Sequence, residues 1–127
     1  MELVDCGEAV AGQVIAAAIT VHRILGPGLL ESAYEKALVF ELQERGLKVD
    51  YQVDVPLIYK ANDLGTGFKA DIIVEDSLLL ELKAVDKLTD IHIAQVITYL
   101  KLLKIKRGFL LNFNQKLMKN GIKRISI

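Results

Sequence analysis

The sequence predicts an α/β fold in which helices cover a mixed central sheet, with elements in the order ααβββαβ(β). Three observations carry that prediction. Two stretches of helical periodicity, separated by Gly26-Pro27-Gly28, come before Gly46. A pair of apolar, strand-forming runs, Asp71–Val74 and Leu78–Lys83, flanks the polar turn Glu75-Asp76-Ser77 and reads as a β-hairpin. A further helical stretch then leads into a strand rich in β-formers. A strand–helix–strand passage is a crossover, so that last strand should lie parallel to one strand of the hairpin.

In chain order, the first helix is expected over residues 8–25, with Val10, Val14, Ala17, Val21 and Ile24 or Leu25 as its apolar stripe. Pro27 lacks an amide donor and the flanking glycines tolerate positive φ, so the helix ends there. The second helix is expected over residues 31–45, facing a core through Ala33, Ala37, Leu38 and Leu42 and stopped by Gly46. Residues 48–59 alternate and read as a strand, with Pro56 marking an edge or a bulge. Residues 62–67 read as a turn, and the hairpin occupies 68–84. A third helix over 89–103, a strand over 107–113 and a short strand over 122–127 complete the chain. No repeat or interdomain linker interrupts it, so one domain over 1–127 is expected.

Composition narrows the classes. Of the 127 residues, 52% are hydrophobic and 25% charged, the balance of a globular chain rather than a disordered one. The single cysteine, Cys6, excludes an internal disulfide and fits a reducing cytoplasm. The apolar window from Ala9 to Leu25 is broken by Gln13, Thr20, His22 and Arg23, which favours a buried or amphipathic helix over a membrane span. The net charge of zero hides a division. Residues 1–90 hold all sixteen acids and eight bases, while residues 91–127 hold eight bases and no acid. A basic C-terminal third suits a phosphate backbone, and it equally suits lysines that solvate an apolar sheet.

The chemistry-bearing residues begin with the hairpin. A turn centred on Asp76 sets Asp71 opposite Glu81, with Cβ atoms about 5 Å apart. Two carboxylates so close repel unless a proton or cation lies between them. Side chains alternate along a strand, so Lys83 shares the face of Glu81. Leu78, Leu79, Leu80 and Leu82 mark a mostly buried strand, on which acids need a partner. Mg²⁺ prefers oxygen ligands and takes one or two carboxylates plus water and phosphate oxygens. Asp71 and Glu81 match that demand, with the Leu82 carbonyl as a third oxygen. Lys83 would hold a phosphate oxygen or the attacking water. On the third helix His92, Gln95 and Tyr99 form a polar stripe. Gln95 is placed to orient the water or the lysine, and Tyr99 to contact a phosphate, whereas His92 alone fits better as an interfacial residue. Glu31 and Tyr34 share a face of the second helix, where by spacing alone Glu31 is an acid favoured by the helix dipole.

The segment Gly28-Leu29-Leu30-Glu31-Ser32-Ala33-Tyr34-Glu35 resembles the signature of the GxxExxY proteins, a prokaryotic family of the PD-(D/E)XK nuclease-like superfamily. The resemblance continues through Val21-His22-Arg23, Gly26-Pro27-Gly28, Asp71 with Val74-Glu75-Asp76, and Glu81-Leu82-Lys83-Ala84-Val85. It extends to His92, Ala94-Gln95, Thr98-Tyr99-Leu100-Lys101, Leu111-Asn112-Phe113-Asn114 and Gly121-Ile122-Lys123-Arg124. It implies a restriction-endonuclease-like αβββαβ core, with one extra N-terminal helix here. It further implies that Asp71, Glu81 and Lys83 bind a metal and assist hydrolysis, that Glu31 completes the metal site, and that Gln95 and Tyr99 belong to the helix motif behind the core. Tyr34 and Lys101 are the expected substrate contacts. This chain has Ala70 where the superfamily's name has Pro.

The leading expectation is therefore a Mg²⁺- or Mn²⁺-dependent nuclease acting on nucleic-acid phosphodiesters, with a homodimer as the arrangement that would cut two strands. Two alternatives stand beside it: a non-catalytic module that keeps the fold for binding nucleic acid or protein, and a hydrolase of a small phosphorylated compound. No helix-turn-helix, zinc finger or aromatic stacking run is visible, so recognition by structure rather than by base sequence is expected.

Overall fold

A computed structural model describes residues 6–127, with side chains from Gly7 onward. Of the expected domain, residues 1–5 lie outside the described residues. The elements follow the predicted order: α1 (Cys6–Leu25), α2 (Glu31–Glu44), β1 (Val49–Tyr59), β2 (Asn62–Val74), β3 (Leu78–Lys83), α3 (Asp90–Leu103), β4 (Arg107–Asn112) and β5 (Ile122–Ser126). A 3₁₀ turn at Met118–Gly121, which periodicity did not foretell, leads into β5. The strands form one sheet in the order β1-β2-β3-β4-β5. The β3–β4 pair is parallel, as the α3 crossover requires, and the other pairs are antiparallel.

Helices cover both faces, and each buries the stripe its sequence offers. On one face α1 contributes Val10, Val14, Ala17 and Val21 and α2 contributes Tyr34, Leu38 and Leu42, packed on Ile72, Leu80, Leu82 and Leu111. On the other face α3 contributes Val96, Tyr99 and Leu100, packed on Ile73, Leu79 and Leu110. Alternation along β3 thus sends Leu80 and Leu82 toward α1 and α2, and Leu79 toward α3. By length and composition α1 is also apolar enough to cross a membrane. Here its stripe is taken up by the core. The α3 N-terminus is closed by a capping box in which Thr89 Oγ1 accepts the His92 N–H at 3.4 Å and the His92 ring accepts the Thr89 N–H at 3.1 Å. His92 therefore serves the helix end.

One boundary differs from expectation. Residues 62–67 belong to β2, and the reversal is made by Lys60 and Ala61, both at positive φ (50° and 63°). Two consecutive left-handed residues fit a tight hairpin turn. Asn62, Asp63, Gly65 and Gly67 are turn-type residues that pair within the ladder instead or flank its irregularities. Pro56 marks both features expected of it: β1 is an edge strand, and the register shifts on either side of Pro56.

Candidate active site

The hairpin register is the predicted one. Ile72 faces Leu80, Ile73 faces Leu79 and Val74 faces Leu78, so the next positions along are Asp71 and Glu81. At that point the ladder stops and the strands part. The Asp71 N–H donates to Glu81 Oε2 at 2.8 Å, and the Leu82 N–H donates to Asp71 Oδ2 at 2.8 Å. Each carboxylate thus occupies a ladder position on the opposite strand, and the two acids fill the split between β2 and β3.

The β1 side of Asp71 is interrupted as well. The β1–β2 ladder pairs Tyr51 with Ile72 and Val53 with Ala70, and skips Gln52 and Asp71 between them. Gln52 adopts φ +52°, a left-handed conformation uncommon for a residue with a side chain. Its amide Nε2 donates to Glu35 Oε1 at 2.8 Å. Backbone strain next to a cluster of acids is the kind of outlier that functional sites retain.

Helix α2 brings the remaining acids. The Ala84 N–H reaches Glu31 Oε2 at 3.3 Å, just beyond the end of β3. Glu35 lies one turn further along α2. A cleft of about 430 Å³ opens among Glu31, Ser32, Glu35, Gln52, Asp71 and Leu82. From the opposite face Tyr99 reaches the same acids. It stacks on Phe68 at 4.9 Å, its hydroxyl accepts a hydrogen bond from Gln95 Nε2 at 3.3 Å, and the charges of Glu81 and Asp71 both act on it.

Electrostatics follows from burial and like charge. Glu81 is buried, and desolvation pushes its carboxyl up to about 8, with Asp71 and Glu35 adding to the shift. Burial also raises the Asp71 carboxyl, and Glu31 contributes, while the Leu82 N–H and Lys83 oppose the rise. Glu35 is raised by burial first and then by Asp71. Tyr99 is raised by burial, then by Glu81 and Asp71. Lys83 lowers both Asp71 and Glu81, and among the described residues it forms no ion pair with either. Asp71 and Glu81 therefore share one ammonium group, Lys83, while Glu31 acts on Asp71 and Glu35 on Glu81, an acid-rich cluster whose raised carboxyls a cation would draw into the charged form.

The donor set suits a hard divalent ion: carboxylate oxygens, a backbone carbonyl nearby, and no soft ligand. Among the described residues no three His, Cys, Asp or Glu side chains converge into a preformed cage. An ion held by one or two carboxylates, with water and substrate oxygens filling its shell, needs no such cage.

The structure brings Asp71, Glu81, Lys83, Glu31, Leu82, Gln95 and Tyr99 to one region, and leaves Tyr34 and Lys101 elsewhere. Tyr34 is fully buried. Its hydroxyl donates to the Gly26 carbonyl at 2.6 Å and accepts the Leu29 N–H at 3.0 Å, and its ring stacks on Phe113 at 4.6 Å. Tyr34 thus pins the Gly26-Pro27-Gly28 loop from beneath and offers no surface to a substrate. Lys101 is exposed and lies two residues, roughly 200° round the helix, from Tyr99. Sequence reasoning missed Glu35 and Gln52. Glu35 carried a signal, since it follows Glu31 at i+4 on the same helical face. Gln52 carried none, because nothing in its side chain announces a positive φ.

The basic C-terminal third proves to be several surfaces. Arg107 and Arg124 both bind Glu8, at 2.8 and 3.2 Å, beside the starting ends of β3 and β4. Lys116 and Lys119 follow β4 at its far end, where the Lys83 carbonyl accepts the Phe113 N–H at 2.9 Å.

A family model described as the PD-(D/E)XK nuclease superfamily matches residues 8–125. No curated protein and no solved structure matches the chain.

Proposed function

The chain belongs to the PD-(D/E)XK nuclease superfamily, and from that premise we propose that it is a Mg²⁺- or Mn²⁺-dependent nuclease hydrolysing nucleic-acid phosphodiester bonds. One observation carries the proposal: the split between β2 and β3, where Asp71 and Glu81 each accept a backbone N–H of the opposite strand at 2.8 Å and Lys83 acts on both. Keeping like charges together in a half-buried cleft costs stability, and a cation-dependent reaction gives a reason to retain them.

Asp71 and Glu81, supported by Glu31 and the Leu82 carbonyl, would hold the ion, which when bound supplies a Lewis acid at the scissile phosphate. The chain's own groups account for the rest. Lys83 donates to a non-bridging oxygen and offsets the charge that builds as water attacks phosphorus and the opposite P–O bond breaks. Gln95 and Tyr99, joined by a hydrogen bond, fix the far side of the acid pair and limit the approach of water. Glu35, held by Gln52, adds charge on the α2 side of the cleft. The motif from Gly28 to Tyr34 supports placement in the GxxExxY branch. A cytoplasmic location and a homodimer that presents two sites to two strands belong to the same proposal.

The test is a cleavage assay on single-stranded, duplex and branched DNA and RNA with Mg²⁺, Mn²⁺ or Ca²⁺. The proposal expects cutting that depends on Mg²⁺ or Mn²⁺ and is lost in Asp71→Ala and Lys83→Ala proteins that remain folded. Folded, metal-supplied protein that cuts none of these substrates would sink it.

A further inference from the structure

Behind the loop that leads into Glu31, a second groove of about 590 Å³ carries no part of the mechanism above. Its floor is apolar, made by Ile19, Pro27, Leu117 and the buried Met118. Its rim is cationic: Arg23, Lys116 and Lys119 line it, no acid does, and among the described residues none of the three forms an ion pair. Leu117 is half exposed there. Apolar surface under a ring of unpaired cations is complementary to a ligand that is both flat and anionic.

The position of the groove identifies that ligand. It lies at the same end of the sheet as the acid pair. His22 Nε2 bonds the Gln115 carbonyl at 2.7 Å, Gln115 Nε2 bonds the Asp86 carbonyl at 3.5 Å, and Asn112 holds Val85 through both its side-chain atoms at 2.9 and 3.1 Å. The segments after β3 and β4 and the end of α1 are thereby fastened together beside Lys83. From Gly26, on the groove, to Glu31, on the cleft, the chain has five steps, at most about 17 Å. That upper limit corresponds to about five nucleotides of a stacked strand, so groove and cleft lie within one short strand's reach of each other. The cleft itself, lined by Glu31, Glu35 and Asp71, repels phosphate until a cation arrives. A cationic groove alongside supplies the attraction that the cleft lacks.

We infer that this groove is a subsite for unpaired nucleotides next to the scissile phosphate, its floor taking an unstacked base and Arg23, Lys116 and Lys119 taking the flanking phosphates. This deepens the nuclease proposal and rests on it: the substrate is a nucleic acid with a single-stranded segment, such as an end, a flap or a loop, rather than blunt duplex. An apolar slot buries a base through its face without directional contacts and so discriminates little among base types.

The test is fluorescence anisotropy in EDTA, so that binding is read without cleavage. The probes are a short labelled single strand, the same strand with abasic sites throughout, and the corresponding blunt duplex. The wild-type chain should bind the single strand more tightly than the duplex and lose about tenfold in affinity on the abasic strand, the loss expected when roughly 55 Å² of base face is no longer buried on the apolar floor. Lys116→Glu with Lys119→Glu should weaken binding and flatten the salt dependence of log affinity by roughly 1.4, the value for two phosphate contacts on a single strand. Leu117→Asp, at a half-exposed position that leaves the core intact, should erase the preference for intact over abasic strand. Equal binding of intact and abasic strands, or an unchanged salt slope in the double variant, would each overturn the inference. The two proposals fail separately. A strand held in the groove but never cut with Mg²⁺ or Mn²⁺ removes the nuclease alone. Metal-dependent cutting at equal rates by wild type and groove variants on all substrates removes the groove alone.

Discussion

Replace Glu81 with Gln in the metal-free protein, and the fold should gain stability at neutral and alkaline pH. Glu81 is 4% exposed, and burial, Asp71 and Glu35 raise its carboxyl from 4.5 to about 8. Between those values the folded chain binds a proton that the unfolded chain releases, so stability falls as pH rises from about 4.5 to about 8. A shift of that size corresponds to about 3 kcal/mol lost at pH 7 relative to pH 4, and relaxation of the split makes about 1–3 kcal/mol the realistic range. Gln keeps an acceptor for the Asp71 N–H and removes the ionisation. Denaturant unfolding in EDTA should therefore show Glu81→Gln ahead of wild type by about 1–3 kcal/mol at pH 8, a gain of roughly 3–6 °C in melting temperature per kcal/mol. The two proteins should converge near pH 4.5. Mg²⁺ should then stabilise wild type and leave the variant where it was. A variant no more stable than wild type at pH 8, or a difference independent of pH, would refute the claim that Glu81 is an uncompensated buried acid.

Lys83→Ala should cut activity on nucleic acid by at least about a hundredfold, the usual loss for a donor aimed at developing charge, with folding retained by circular dichroism. Tyr34→Phe should cost about 1–2 kcal/mol in chemical denaturation, because it strips the Gly26 carbonyl and the Leu29 N–H of their partner, and should leave substrate affinity unchanged. A large affinity loss without destabilisation would restore Tyr34 as a substrate contact. Gln52→Gly should be more stable than Gln52→Ala by about 1 kcal/mol, since both lose the bond to Glu35 and Gly alone relieves the positive φ. Equal stabilities would mean that Gln52 carries no strain.

Much of the architecture was legible because burial imposes a period. Alternation along Leu78–Lys83 and the position of Asp76 sufficed to set Asp71 against Glu81, and the strand–helix–strand passage sufficed to make β4 parallel to β3. Chemistry at the split was harder to foresee, because the carboxylates leave the regular pairing and bond the opposite backbone instead. Residues in unusual backbone conformations were not legible. Lys60, Ala61 and Gln52 take positive φ without being Gly or Asn, so the turn was expected at Asn62–Gly67 and the kink at Gln52 went unseen. Tyr34 shows the limit of spacing arguments. Three residues from Glu31, it shares a helical face in a projection, yet the few tens of degrees between them separate the cleft from the core. Charge counting failed differently, since it located eight bases in sequence but not the ends of the sheet to which they go.

Calorimetric titration of Mn²⁺ into wild type and into an Asp71→Asn, Glu81→Gln protein, at pH 7 in two buffers of different ionisation enthalpy, tests the acid pair most directly. Wild type should bind one ion or more and release protons as it does so, since the raised Glu81 carboxyl must ionise to take part. The double variant should lose both the binding and the release. Equal binding by the two proteins, or no binding by wild type, would contradict the claim that Asp71 and Glu81 form the cation site.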